Sequence, residues 1–177
     1  SGSITLEDAD EWMSNWNRRV VPKRFTLMGG EPSLHPQLGD FVLLAKEKFK
    51  HSDIEIVSNG FFLHNHPDLW EILVDTGTVL GVSVHSQTDA VYVEKFKPVY
   101  DLMKEWIKKG ARVELRPSIV NWQRQYKGYG DNMEPYEDGD PVSSWSNCVS
   151  KLCVQLYKGK LWKCPGLAYL PLHAEKY

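Results

Sequence analysis

Two stretches of this chain are built on one plan. A short apolar run, a glycine-bearing turn, His-Pro-x-Leu and an amphipathic segment follow one another from Phe25 to Phe49, and again from Ile54 to Val74. The shared tetrapeptides are His35-Pro36-Gln37-Leu38 and His66-Pro67-Asp68-Leu69. A repeat of about thirty residues is the length of one β/α unit, and its recurrence argues for parallel strands joined by helical crossovers. Such crossovers are right-handed, so they bring the ends of successive strands to one edge of the sheet. In an open α/β sheet that edge is where ligands bind.

The rest of the N-terminal part extends the plan. Ile4 to Arg19 reads as a helix capped by Thr5, with Asp8 three residues on and Leu6, Ala9, Trp12, Met13 and Trp16 on one face. Strands are expected at Phe25–Met28, Ile54–Val57, Val79–Val84 and Arg112–Ile119. A second helix opens at Pro36 with Leu38, Phe41, Val42, Ala45 and Phe49 as its stripe. A third opens at His66-Pro67 and stops at Gly77, and a fourth runs from Pro98 to Lys109 and stops at Gly110. The fold class is α/β with a parallel sheet.

Asn121 to Asn147 has no sustained period and reads as a long loop, a feature that is often functional in a compact domain. Val154 to Lys163 reads as a β-hairpin turning at Lys158-Gly159, with a cysteine at each end. The expected organisation is 1–120, a loop 121–147, and a cysteine-bearing hairpin module 148–177.

Composition narrows the function classes. A formal net charge of -2 gives no case for nucleic acid or an anionic membrane as partner. No apolar run approaches the ~20 residues needed to span a bilayer, and no secretory signal is visible. Ser1-Gly2-Ser3 reads as a cloning remnant. Cys148, Cys153 and Cys164 are odd in number and confined to one end, which suits a metal site or free thiols better than disulfides. The expected compartment is the cytoplasm.

The strand ends carry the chemistry. The first ends in Gly29-Gly30-Glu31-Pro32, the second in Ser58-Asn59-Gly60, the third in Ser83-Val84-His85-Ser86, and the fourth carries Arg116. Together they suit a small zwitterion: Glu31 for an amine, Arg116 for a carboxylate, Asn59 and the serines for hydroxyls. Each has a plainer reading, Gly-Gly as an ordinary turn and Arg116 as a solvated strand residue. His35, His64 and His66 are not read as a metal set, because His35 and His66 occupy matching helix-start positions and serve there as local caps. The tryptophans Trp12, Trp16, Trp70 and Trp106 fall on helical apolar faces and are read as core.

With Gly-Gly-Glu-Pro after a strand, then Ser-Asn-Gly, then Val-Ser-Val-His-Ser, the chain resembles the radical S-adenosylmethionine superfamily over Ile4 to Ile119. The resemblance implies a partial, open parallel β/α barrel with a small C-terminal cysteine-bearing hairpin module. It implies that the Gly29-Gly30-Glu31-Pro32 turn contacts the amino group of S-adenosylmethionine, with Asn59, Ser83 and Arg116 helping to hold the ribose and carboxylate. That superfamily places a Cys-x3-Cys-x2-Cys loop for a 4Fe–4S cluster ahead of the helix that precedes this turn. This chain starts at that helix and lacks the loop, and is read as trimmed from a longer protein. The tail resembles an auxiliary-cluster (twitch or SPASM-like) module, which implies Cys148, Cys153 and Cys164 as metal ligands, with His173 or a loop residue as a fourth. The implied activity of the full protein is radical generation for hydrogen abstraction from an unidentified small molecule or peptide, with flavodoxin or ferredoxin as electron donor. A missing first strand would leave an unpaired sheet edge, through which a homodimer is expected. From another class, the alternative is a non-catalytic binding module with structural zinc on the cysteines.

Overall fold

Thr5 caps the first helix through its hydroxyl, which accepts from the Asp8 N–H at 3.1 Å, and α1 runs Leu6–Trp16. The computed structural model describes residues 3–118, 127–137, 139–148 and 151–176. The chain divides into two compact units, Ser1–Val120 and Asn121–Tyr177.

The first unit holds four strands, β1 Arg24–Leu27, β2 Asp53–Ser58, β3 Val79–Val84 and β4 Arg112–Pro117. They form one parallel sheet in the order β1-β2-β3-β4. Helices α2 Leu38–Lys48, α3 Leu69–Thr76 and α4 Ala90–Lys108 make the crossovers. The expected α/β class, with an open sheet consistent with a partial barrel, is what the chain adopts.

Register decides which side chains share a face. Thr26 pairs with Glu55, Glu55 with Val79, and Val79 with Arg112. Side chains alternate along a strand, so Ile56, Leu80 and Val82 share one face. They pack there with Leu38 and Val42 of α2, Leu69 and Leu73 of α3, and Phe96, Val99, Met103 and Trp106 of α4. The opposite face carries Arg24, Thr26, Glu55, Gly81, Ser83, Glu114 and Arg116. Parallel sheets are usually apolar on both faces; this one is apolar on one and charged on the other.

Helix starts differ from the sequence expectation for local reasons. The second and third helices begin at Leu38 and Leu69, two residues after Pro36 and Pro67. Before α2, His35 Nδ1 accepts the Gln37 N–H at 3.1 Å and holds that position out of the helix. The fourth helix begins eight residues ahead of Pro98, which lies inside it. Asp89 supplies the cap, accepting from the Val91 and Tyr92 N–H groups at 2.9 and 3.1 Å. Tyr92, Phe96, Val99, Met103 and Trp106 keep one stripe across the proline, so burial offsets the one backbone bond that Pro98 cannot make. Strand β4 ends at Pro117, one residue short of Ser118, and the expected end at Ile119 lies outside the described residues.

In the second unit the expected loop contains a helix, α5 Pro141–Asn147, and a 3-10 turn at Gly130–Asn132. Asp140 caps α5 through the Val142 and Ser143 N–H groups at 2.9 and 3.2 Å. Val142 and Trp145 are exposed, so no buried stripe marked this helix in the sequence. The hairpin forms as expected, β5 Gln155–Tyr157 against β6 Lys160–Trp162, with Lys158 and Gly159 at φ 49° and 70°. Helix α6, Pro165–Lys176, follows. Among the described residues no helix is long and apolar enough to cross a membrane.

Gly60, at the turn after β2, is required twice over. Its φ is +84°, and a Cβ there would stand 2.5 Å from Val99 Cγ1 and 3.0 Å from Val82 Cγ1. Gly60→Ala is expected to lower stability by about 2–4 kcal/mol in urea unfolding, since strain and overpacking add. A loss under about 0.5 kcal/mol would contradict the tight seat of α4 on this turn.

Candidate functional site

The edge where the first two strands end is tied together by one carboxylate. Glu31 leaves β1 with extended backbone and caps the 3-10 turn Pro32–Leu34. Its Oε1 accepts from the Ser33 N–H at 2.9 Å, the Ser33 hydroxyl at 2.5 Å and the Ser58 hydroxyl at 2.6 Å. Its Oε2 accepts from the Asn59 N–H at 2.8 Å. Ser33 and Ser58 are 1% and 2% exposed, so their hydroxyls depend on this acceptor. Glu31 was expected to meet a ligand amine; four hydrogen bonds within its own chain occupy much of its acceptor capacity. What remains toward a ligand at this turn is chiefly main chain.

Gly29 and Gly30 supply that main chain. Neither has a positive φ, and a Cβ on either would meet nothing within 4 Å. Neither backbone strain nor crowding among the described residues therefore requires glycine at these positions. They leave open space at the end of β1.

Asn59 stands beside them at the end of β2. Its Oδ1 accepts the Phe61 N–H at 2.9 Å, which leaves its NH2 to donate. The Ser58 hydroxyl accepts the Gly60 N–H at 2.9 Å, so this second turn is held by its own side chains as well as by Glu31. Ser83, at the end of β3, lies on the charged face in register with Arg116 of β4.

Arg116 reaches away from the strand ends. It lies back along the sheet over Gly81, where a Cβ would stand 2.8 Å from its Nε. Its Nη2 pairs with Glu55 and, at 3.1 Å, with Glu114. Glu55 is 3% exposed, accepts from the Thr26 hydroxyl at 3.1 Å, and has Arg24 Nη1 at 3.7 Å. Burial works against the charge of Arg116, but the carboxylates of Glu55 and Glu114 outweigh it and hold the guanidinium above its ordinary pKa. The expected role of Arg116 toward a ligand carboxylate thus competes with two carboxylates of its own chain.

Glu55, Gly81, Ser33 and His66 were not singled out as site residues by the sequence. A signal for the first two was there: Glu55 interrupts Ile54-Glu-Ile-Val57, and Gly81 interrupts an apolar strand, each marking the face away from the helices.

The cysteines lie in the second unit and form no disulfide with one another. Cys148 ends α5, Cys153 precedes β5, and Cys164 precedes α6, where its carbonyl accepts the Ala168 N–H. Among the described residues no three of His, Cys, Asp and Glu gather into a metal-binding group. Hairpin pairing ends at Gln155↔Trp162, so the short cross-strand spacing does not extend as far as Cys153 and Cys164. The side chain of His173 lies outside the described residues.

Glu31→Ala is expected to lower stability by about 3 kcal/mol, because it strands two buried hydroxyls and two N–H groups. Gly29→Ala and Gly30→Ala are expected to stay within about 0.5 kcal/mol of the parent. Urea unfolding of the three variants checks the contrast, and equal losses would refute it.

The sequence model of the Radical SAM superfamily matches residues 1–138 of the chain. No curated protein matches it.

Proposed function

The chain belongs to the radical SAM superfamily, and on that premise we propose that the ends of its first strands hold S-adenosylmethionine. The observation that carries this reading is the pair Gly29 and Gly30, glycines that neither a positive φ nor crowding among the described residues requires. A ligand that approaches the backbone closely is the remaining reason to exclude a side chain there. Carbonyl groups of this turn suit the ligand's ammonium, and the free NH2 of Asn59 suits a ribose or carboxylate oxygen. Glu31 keeps the two turns at a fixed separation, so the donors and acceptors stand ready before the ligand arrives.

The whole protein is read as a radical SAM enzyme, in which reductive cleavage of S-adenosylmethionine yields a 5′-deoxyadenosyl radical for hydrogen abstraction from a substrate. The cofactors do the demanding chemistry and the protein binds and orients them. A 4Fe–4S cluster would supply the electron. The residues present do not fit one: the 177-residue sequence has no Cys-x3-Cys-x2-Cys run, and the three thiols of the second unit are not gathered. Electron transfer is therefore assigned to no residue of this chain, whose own part is to bind and orient S-adenosylmethionine.

Titration of the 15N-labelled chain with S-adenosylmethionine tests the binding reading. Saturable shifts are expected at the amides of Gly29, Gly30 and Asn59. Gly30→Ala should keep its stability yet weaken binding by about tenfold, the equivalent of ~1.4 kcal/mol. No shift at these amides in the parent chain would overturn the assignment. No 5′-deoxyadenosine is expected from this chain after anaerobic reconstitution with iron, sulfide and reductant. Its detection would show that the chain gathers a working cluster after all.

A further inference from the structure

The histidines of the two His-Pro-x-Leu segments were expected to cap their own helices, but α2 and α3 have no side-chain cap hydrogen bond, and both rings reach further. His35 Nε2 lies 3.0 Å from the carbonyl of Ile4, and His66 Nε2 lies 2.9 Å from the carbonyl of Ser33. A carbonyl can only accept, so in each case the Nε2–H donates. Each histidine therefore reaches back about one β/α unit, to the element that came before it. His35 ties the turn after β1 to the entry of α1, and His66 ties the approach to α3 to the turn after β1. The motif repeats in space as well as in sequence.

The Ser33 carbonyl belongs to the segment that Glu31 organises. Ser33 gives its N–H and hydroxyl to Glu31 and its carbonyl to His66. Glu31 reaches forward to Ser58 and Asn59, while His66, after that same second turn, reaches back. The two turns are thus clasped in both directions. Ser33 is 1% exposed, and His66 is half-buried, so the return bond is partly shielded from water. His64, two residues earlier, is exposed.

We propose that His66 is a positioning residue for the Gly29-Gly30-Glu31-Pro32 turn, acting through the Ser33 carbonyl, and that His35 does the same for the entry of α1. His66 touches no ligand in this scheme. It sets the orientation of the peptide that follows the ammonium-facing main chain. This rests on the reading of that turn as the S-adenosylmethionine site.

The test compares His66→Gln, whose side-chain amide can donate in place of Nε2, with His66→Leu, which fills similar space and cannot donate. His64→Ala is the control. Each 15N-labelled chain is titrated with S-adenosylmethionine, and the free-state amides of Ser33 and Asn59 are compared with the parent. Expected results are a dissociation constant raised about fivefold or more in His66→Leu, near-parent affinity in His66→Gln, and no change in His64→Ala. The Ser33 and Asn59 amides should move in the leucine variant before any ligand is added. If the parent chain shows no saturable shift, the site reading falls and this inference falls with it. If the parent binds and His66→Leu binds equally well, the inference alone is overturned. Equal weakening by Gln and Leu would also overturn it, since the hydrogen bond would not be the cause.

Discussion

Four hydrogen bonds to Glu31 hold together the edge of the sheet that the rest of the first unit presents. A parallel sheet fixes its strands by backbone pairing, but the turns beyond the last pair have no such ladder. Leu27↔Ile56 is the last pair between β1 and β2. Beyond it, one carboxylate takes over the work of registration. It can do so because an ionised acid is an acceptor on every side, and the chain surrounds it with donors only. Gly60 lets the second turn come close enough to α4 to complete the arrangement.

The two faces of the sheet differ in character. Helices α2, α3 and α4 bury one face in a continuous apolar cluster. The other carries a charged row in which Glu55 sits between Arg24 and Arg116. A buried ion pair adds little to stability compared with apolar packing, so a core could be built without it. Gly81 makes room for Arg116 on that face, and thus a strand position loses its side chain to seat a guanidinium. The polarity of this face, with helices covering the other, is consistent with a partial barrel.

Much of the fold was legible because its signals are local. Strand β3 carries the bounds expected of it, Thr5 caps α1, Gly77 ends α3 in a left-handed conformation, and Lys158-Gly159 turns the hairpin. The misses have one kind of cause. Pro98 read as a helix start because the rule for proline is local, while the stripe that carries α4 through it is satisfied only by the packed core. Helix α5 was silent because it buries no stripe and is marked by its Asp140-Pro141 start alone.

Residue order alone determined the repeat, the parallel sheet it imposes, and the group of residues delivered to one edge: Gly29, Gly30, Glu31, Asn59 and Ser83. These follow from periodicity and chain handedness, which need no knowledge of distant contacts. Only the tertiary structure decided what each of them does there. Glu31 became a clasp, Arg116 turned back onto Glu55, and His35 and His66 reached to the preceding unit, while Gly29 and Gly30 were left open. The reason is that a hydrogen bond or ion pair joining residues about thirty positions apart depends on distances that no local rule contains.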